Sequence, residues 1–281
     1  LNYTYSRQNV KDQIFEVPLA GSTGASSMIM NGGKIHTNTH ELTLGVSPVD
    51  TKNFKLDFAF NFSKIDNYVD ELAPGVESIM LGGFVTPQVR AGIGDKFPVI
   101  YGKSYMRNDE GKIVVDKNGL PMQGEDAVIG TVSPDFRLGF NTNIELYKFR
   151  ISAVFDWKQG GQMYSGTAGE MNYYGVSKLS GDMRNTEFIV ENSVKDTGKD
   201  ADGNSIYAPN DIKVTDAQAY FTRRRSIDES YIYDNSYIKL RELSVSYPVF
   251  SKKWLNVNVN VFARNILVWS EMKGFDPEAS Q

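Results

Sequence analysis

Two histidines are the first residues whose type and spacing could bind a metal ion. His36 and His40 stand four residues apart, a spacing that brings two side chains to one face of a helix. The run that contains them, residues 34–40, is polar and rich in β-branched side chains, which favours a strand or a loop. We therefore expect both histidines to bind no metal. The chain has no cysteine, which excludes disulfides and thiolate metal sites.

Two acidic turns have part of the spacing of a calcium loop. They lie at Asp109–Gly111 and Asp116–Gly119, but the alternating acidic order and the closing glutamate of such loops are missing. Asn118-Gly119 and Asp202-Gly203 are better interpreted as hairpin turns, because these dipeptides favour positive φ. We find no catalytic combination of nucleophile, acid and base, so we predict that the chain is not an enzyme and carries no cofactor.

The candidate ligand contacts lie in one long segment of the chain, residues 158–235. A basic cluster there could hold an anionic substrate or contact lipopolysaccharide, or it could pair locally with Asp228 and Glu229. Three tyrosines of the same segment could stack on a sugar or a peptide, or pack the segment itself. The candidates are Arg223, Arg224, Arg225, Tyr164, Tyr173 and Tyr174.

Bulk composition leaves two classes of fold open. The net charge of -4 and pI of about 5.4 do not indicate a nucleic-acid partner. Mean hydropathy is -0.36, and no run approaches the roughly 18 apolar residues of a transmembrane helix. A soluble protein and a transmembrane β-barrel share these values, because every second barrel residue faces water.

Alternation of apolar and polar residues predicts strands. The apolar members of five regular stretches are Leu42 to Val46, Phe54 to Phe62, Phe136 to Leu146, Phe149 to Trp157 and Val257 to Ala263. Two less regular stretches, residues 1–17 and 236–247, bring the total to about seven strands. In the second of these the phase slips near Arg241-Glu242, which indicates a bulge or a strand that leaves the membrane.

Long and short connections alternate strictly between these strands. The long ones are residues 18–33, 64–135, 158–235 and the chain after about 267, and the short ones are 47–53, 147–148 and 248–253. In an up-and-down meander this order puts every long connection at one end of the sheet, as in outer-membrane barrels. Aromatic residues at both ends of the strands, including Tyr147, Trp157, Tyr237 and Trp269, are typical of a membrane interface. Polar positions such as Asn141, Asn143 and Asn258 are then expected to face the lumen.

The prediction is therefore an all-β chain that forms part of a transmembrane antiparallel up-and-down β-barrel. About seven strands leave bare edges in lipid, so we expect further strands outside this chain to complete the barrel. The opening residues Leu1 to Tyr5 alternate like a strand and lack the regions of a signal peptide, so we expect the chain to begin inside a longer gene product.

Several stretches resemble the last strands of the SusC/RagA family of TonB-dependent outer-membrane transporters. They are DNSYIKLRELSVSYP (234–248), VNVFARNILVW (259–269) and KGFDPE (273–278) near the end, with SPDFRLGF (133–140), DWKQGG (156–161) with Tyr164, and the hairpin 31–62 upstream. One departure is Thr39 before His40-Glu41, where the family usually has glycine. The resemblance covers nearly the whole chain, residues 1–281, and the C-terminal motif is the most specific part.

The resemblance implies a barrel of about 22 strands, with a plug, a TonB box and a final strand that this chain does not contain. It implies a SusD-like surface lipoprotein and the TonB complex as partners, in contact with outer-membrane lipid and lipopolysaccharide of a Gram-negative bacterium. The implied function is import of an oligosaccharide or oligopeptide, with residues 64–135 and 158–235 as extracellular loops. Two alternatives stay open: a passive porin or outer-membrane assembly component, and a soluble carbohydrate-binding β-sandwich.

Overall fold

A computed structural model describes residues 1–18, 21–25, 27–31, 33–83, 85–272 and 274–278. Its strands are β1 (Asn2–Val10), β2 (Ile14–Pro18), β3 (Ser27–Asn31), β4 (Gly33–Asp50), β5 (Phe54–Leu72), β6 (Ser78–Gly83), β7 (Gln88–Gly92), β8 (Val99–Tyr105), β9 (Ile113–Val115), β10 (Gln123–Thr131), β11 (Phe136–Leu146), β12 (Phe149–Gln159), β13 (Gln162–Tyr164), β14 (Ser193–Lys199), β15 (Ser205–Pro209), β16 (Ile232–Asp234), β17 (Tyr237–Lys252) and β18 (Leu255–Ser270). The α-helices are α1 (Gly166–Tyr173), α2 (Lys178–Met183) and α3 (Ala217–Arg225), and Gly21–Thr23 and Asp228–Tyr231 form 3₁₀-helices.

Seven strands form one antiparallel sheet, which we call the wall. The strand order is β1-β4-β5-β11-β12-β17-β18, so each wall strand is hydrogen-bonded to the wall strand before and after it in the chain. This confirms the predicted meander of seven strands. The connections alternate between long and short as predicted, and the wall does not close on itself within the described residues.

Several wall strands are longer than the hydropathy pattern predicted. Strand β5 continues to Leu72, paired with Gly33 of β4, so the next connection begins at residue 73 rather than 64. The two turns predicted at 47–53 and 248–253 shrink to residues 51–53 and 253–254. The predicted first strand, 1–17, is two strands, and part of the loop predicted at 18–33 is a hairpin of β2 and β3. Outside the apolar band both faces of a strand can be polar, so alternation no longer marks its ends.

A bulge in β17 keeps the two faces of the wall chemically distinct. Glu242 pairs with Val154 and Leu240 pairs with the next residue of β12, Phe155, so Arg241 is the extra residue. Of the two explanations for the slip in phase at Arg241-Glu242, the bulge is the one that the structure shows. Because the bulge absorbs the odd residue, Ile238 and Leu240 stay on the apolar face together with Leu243.

The apolar face of the wall, here called the outer face, carries a layer of aromatic rings. The Phe140 ring lies 5.6 Å from Phe58, 4.8 Å from Phe60 and 5.8 Å from Phe155, measured between centroids. At the short-turn end, Phe149 and Tyr247 approach to 4.7 Å. No second sheet covers this face among the described residues, which is inconsistent with the β-sandwich alternative. The opposite, polar side is called the inner face.

The two longest connections, residues 73–135 and 160–236, fold together into what we call the loop module. It contains a four-stranded sheet in the order β10-β8-β7-β6 and a three-stranded sheet in the order β15-β14-β9. The parallel pair β9 and β14 joins the first connection to the second. Their shared core includes Val115 and Leu120 from one connection and Val190 and Val214 from the other.

The structure places both histidines on a strand and both Gly dipeptides in turns. His36 and His40 lie on β4, where His40 shares a hydrogen bond of 2.8 Å with Tyr3 and His36 one of 2.7 Å with Asp70. Gly119 and Gly203 have φ of +76° and +88°, in turns capped by the side chains of Asp116 and Asp200. The described part of the chain contains no cluster of three metal-ligating side chains and no helix with the length and apolarity that a membrane crossing requires.

Candidate substrate-binding site

Three short helices of the loop module surround a cavity of about 480 Å³, here called the helical pocket. Helices of six to nine residues are marginal alone, and each begins at a side-chain cap. Ser165 accepts from Ala168 N, Ser177 from Ser180 N and Asp216 from Ala219 N. Such caps satisfy backbone N–H groups that a helix start leaves free.

Two adjacent tyrosines at the end of α1 line the helical pocket. Tyr173 and Tyr174 meet edge to face with ring centroids 5.0 Å apart, and Arg225 lies 4.5 Å above the centre of the Tyr173 ring. Arg225 is itself paired with Glu170 at 2.8 Å. Arg225 therefore holds the Tyr173 ring in place. Tyr174 is 70% exposed and presents its ring to solvent.

Arg184 also lines the helical pocket, next to the turn that follows Tyr174. One guanidinium nitrogen, Nη2, donates to Gly175 O at 3.0 Å, and the side chain takes part in no ion pair within the described residues. Gly175 has a φ of +71°, and a Cβ at this position would lie 3.1 Å from Arg184 Nη2. The turn after α1 therefore favours glycine for its backbone, and a Cβ there would crowd the guanidinium.

The floor of the helical pocket combines an apolar ring with satisfied polar groups. Phe221 of α3 is 2% exposed. Beside it, Ser177 donates to Asn172 Oδ1, and Asn172 and Ser180 are buried. Asp216 and Asn185 complete the rim. A ligand in the pocket would therefore meet the exposed ring of Tyr174, the guanidinium of Arg184 and the carboxylate of Asp216.

The three predicted arginines do not act as one exposed cluster. Arg223 donates to Pro121 O at 3.1 Å and to Asp116 Oδ2 at 3.2 Å. Arg224 lies against the rings of Tyr220 and Tyr231 and donates to Ser230 O at 2.9 Å. Arg225 supports Tyr173 as described above. These contacts tie the segment to the rest of the loop module.

The alternative pairing of the arginines with Asp228 and Glu229 is wrong. Those carboxylates accept instead from backbone N–H groups, of Lys103 at 2.9 Å and of Tyr105 at 2.8 Å, and so bind the second long connection to β8 of the first. Of the remaining tyrosines, Tyr164 lies on β13 outside the helical pocket. It is half-buried, and burial raises the pKa of its hydroxyl.

A second polar cluster lies on the inner face of the wall, and we call it the inner-wall network. Lys239 Nζ donates to Asp276 Oδ1 and to Glu278 Oε2, each at 2.6 Å. Arg241 bonds Glu278 and Asp156, and the Tyr237 hydroxyl lies 3.0 Å from Glu278 Oε1. The network attaches the segment after β18 to strands β12 and β17.

The positive charges of the inner-wall network lower the pKa of two of its carboxyl groups, those of Asp276 and Glu278. Hydrogen bonds from Arg241, then Lys239 and Tyr237, hold the pKa of Glu278 well below its usual range. The hydrogen bond from Lys239 lowers the pKa of Asp276 in the same sense. Both carboxylates are therefore ionised at neutral pH. The Lys239 side chain is 5% exposed and pairs with both of these carboxylates.

Sequence reasoning placed one member of this network wrongly and missed others. Tyr237 was expected at the membrane interface, but the bulge at Arg241 turns it to the inner face, where it is 3% exposed. Opposite charges in Lys239 and in the Asp276-Pro-Glu278 motif were a usable signal for the network. Arg184 carried no comparable signal, because nothing in its local sequence distinguishes it from a solvated surface arginine.

Comparison with known proteins gives matches over the full chain. Two TonB-dependent receptors of Formosa agariphila match it: one is 25% identical over 309 residues and the other 24% identical over 313 residues, each with all of this chain and 29% of the receptor covered. The chain thus spans less than a third of the length of these relatives. No protein-family model matches.

The fold also matches solved structures. The RagAB peptide importer in its "closed-closed" state superposes with a TM-score of 0.69 at 18% identity, with 99% of this chain and 31% of that chain covered. The same importer in its "open-open" state gives a TM-score of 0.66 with 30% of that chain covered. The wall and the loop module therefore share the fold of part of the RagAB assembly.

Proposed function

Since the chain matches TonB-dependent receptors over its full length and shares the fold of part of the RagAB importer, we propose that the complete protein is a SusC/RagA-type TonB-dependent transporter. It imports a bulky nutrient across the outer membrane of a Gram-negative bacterium. The cargo is an oligosaccharide or an oligopeptide, and the energy comes from the TonB complex. The proposed partner at the surface is a SusD-like lipoprotein. In this segment the wall separates lipid from lumen, and the loop module forms part of the extracellular mouth.

The observation that carries the proposal is the division of the wall into two chemically opposite faces. The outer face presents Phe58, Phe60, Phe140 and Phe155 without polar atoms between them, as a lipid-facing surface requires. The inner face carries Asp156, Lys239 and Arg241 with their charges paired. A water-filled interior accommodates such a network, whereas hydrocarbon does not.

The loop module supports import of a ligand rather than simple diffusion. Loops of this length are uncommon unless they serve a function, and here the two connections are joined through β9 and β14 and through Asp228 and Glu229. A folded module with a defined cavity can select a solute before it enters the lumen. The predicted contacts Tyr173 and Tyr174 lie at that cavity, and we propose them as contacts to cargo. The RagAB assembly, which shares this fold, is a peptide importer, and an oligopeptide is therefore one of the two cargo classes to test.

The experiment uses bacteria that carry the complete transporter gene, its deletion, or a deletion of TonB. Uptake is measured for labelled components of a tryptic protein digest and of a polysaccharide hydrolysate, both above the size limit of general porins. We expect uptake of one class to require both the transporter and TonB. Uptake that needs the transporter but continues without TonB would favour the passive porin. Unchanged uptake of both classes in the transporter deletion, together with misassembly of other barrels, would favour an assembly component.

A further inference from the structure

We propose that the helical pocket binds a carboxylate group of the cargo, with Arg184 as the residue that pairs with it. This inference rests on the proposed function, since it concerns the solute that the mouth captures. Arg184 lines a cavity of about 480 Å³, yet its positive charge has no ion-pair partner within the described residues. Neighbouring cations of the same segment do have partners, such as Lys178 with Asp182 and Arg225 with Glu170.

The geometry leaves most of the guanidinium free for a ligand. Arg184 uses Nη2 for one hydrogen bond, to Gly175 O, while a guanidinium has five N–H donors. That bond and the close approach of Gly175 hold the planar group at the rim. A pre-oriented guanidinium with free donors suits a carboxylate, which can accept two parallel hydrogen bonds.

The charges that face Arg184 do not neutralise it. Asp216 lies on the same cavity, but its carboxylate caps α3 by accepting from Ala219 N, and the positive end of that helix offsets part of its charge. Asp182 is occupied by Lys178, and Glu170 by Arg225. A bound carboxylate therefore meets one cation without competition, and Asp216 and Asn185 remain as acceptors for N–H or O–H groups of the same ligand.

The exposed ring of Tyr174 indicates which kind of ligand the helical pocket can hold beside the carboxylate. It is 70% exposed, and its edge-to-face contact with the supported Tyr173 fixes its orientation. An aromatic face beside hydrogen-bonding groups is a common way to bind a compact, partly apolar ligand body. Two cargo classes combine such a body with a carboxylate: a peptide with a free C-terminus or acidic side chain, and an oligosaccharide with uronic acids. Both share the chemistry that Arg184 recognises.

The test measures binding to the complete transporter in detergent by calorimetry, with two matched pairs of probes. One pair is an N-acetylated tripeptide with a free C-terminal carboxylate and its C-terminal amide. The other is a trimer of galacturonic acid and its neutral methyl ester. We expect the acidic member of one pair to bind roughly tenfold or more tightly than its neutral partner, because hydrogen bonds to charged groups are the stronger ones. The pair that shows the preference identifies the source of the carboxylate.

Three variants separate the pocket from a general effect of charge. R184Q is expected to remove the preference for the acidic probe. K199Q removes one positive charge at the exposed end of β14, which does not line the cavity, and should keep the preference. Y174A should weaken both members of the pair alike, and because its ring is exposed it should not disturb folding. The inference is overturned if neither acidic probe is preferred, if R184Q keeps the preference, or if K199Q loses it equally.

Failure of this inference can be distinguished from failure of the proposed function. TonB-dependent uptake together with an acid preference that R184Q leaves intact would remove only the role of Arg184. Uptake that continues without TonB would remove the proposed function, whatever the helical pocket binds.

Discussion

Arg241 Nη1 donates to Glu278 Oε2 at 2.7 Å and thereby joins the middle of the wall to the segment that follows its last strand. The two residues are 37 positions apart in the chain. Arg241 is also the residue that the bulge inserts into β17. One extra residue therefore allows β17 to direct two cations, Lys239 and Arg241, to the inner face while its outer face stays apolar.

Removal of both acids from the inner-wall network should release the segment 274–278. In the double variant D276N/E278Q, the buried ammonium of Lys239 loses both anionic partners, and loss of charged hydrogen bonds of this kind costs about 1–3 kcal/mol. We expect hydrogen–deuterium exchange of the segment to rise tenfold or more, because the bonds that hold it are gone. The exposed Glu271 offers a control, since E271Q changes a nearby charge outside the network. Equal exchange in the double variant and the wild type would show that the network does not hold the segment.

The contribution of Glu278 to stability should disappear in acid. Because its pKa in the folded protein lies below the usual value of 4.5, the stabilisation is complete above that value and is lost as the pH falls through the folded-state pKa. We expect the difference in thermal unfolding midpoint between wild type and E278Q to be constant from pH 8 to 6 and to shrink below about pH 4.5. A difference that grows on acidification would contradict this assignment.

The two faces of the wall should respond oppositely to the same new charge. Phe140 lies on the outer face and its neighbour Asn141 on the inner face, where Asn141 pairs with Val154 and Ala59. Arginine on the lipid side near mid-bilayer costs about 2–4 kcal/mol, so F140R should lower the yield of folded protein in outer membranes, seen as the heat-modifiable band on a gel. N141R should assemble like the wild type. Equal losses for the adjacent positions would count against a lipid-facing outer side.

Deletions of single residues should reveal the role of the bulge. Without Arg241, β17 pairs regularly with β12 and every other side chain keeps its face, so this deletion should assemble and lose only the contacts of the guanidinium. Without Leu240, Arg241 moves into the regular ladder and turns outward near the level of Phe155, where a cation costs about 2–4 kcal/mol. We expect the Leu240 deletion to give little folded protein by the same gel assay. The opposite ranking of the two deletions would refute this register.

The wall could be predicted from the sequence because lipid and water impose one simple rule on it. Alternation identified the seven strands, and the slip in phase at Arg241-Glu242 identified the bulge. The rule fails where no lipid is present. Strand β5 continues to Leu72 with polar side chains such as Lys64 and Asp66 on the outer face, so its end was placed too early.

The candidate sites were harder to predict because they depend on contacts between distant residues. Lys239 and Asp276 have opposite charges, but their contact requires the chain to turn back after β18. The run Arg223-Arg224-Arg225 was conspicuous in the sequence, yet packing uses these side chains within the loop module. Arg184 became a candidate once the cavity and the partners of its neighbours were known, and neither is encoded locally.

The hairpin of β4 and β5 extends beyond the aromatic band as a ribbon. Residues 63–72 of β5 span roughly 30 Å at the usual rise per residue, paired with β4 to its first residue, and β1 adds a third strand along much of this length. On its inner side, Val69 packs with Phe15, Ile79 and Ala91. This ribbon resists bending, because a hinge at its base would break several hydrogen bonds between the strands at once. Strands β6 and β7, which contribute Ile79 and Ala91 to this packing, therefore rest on a rigid support.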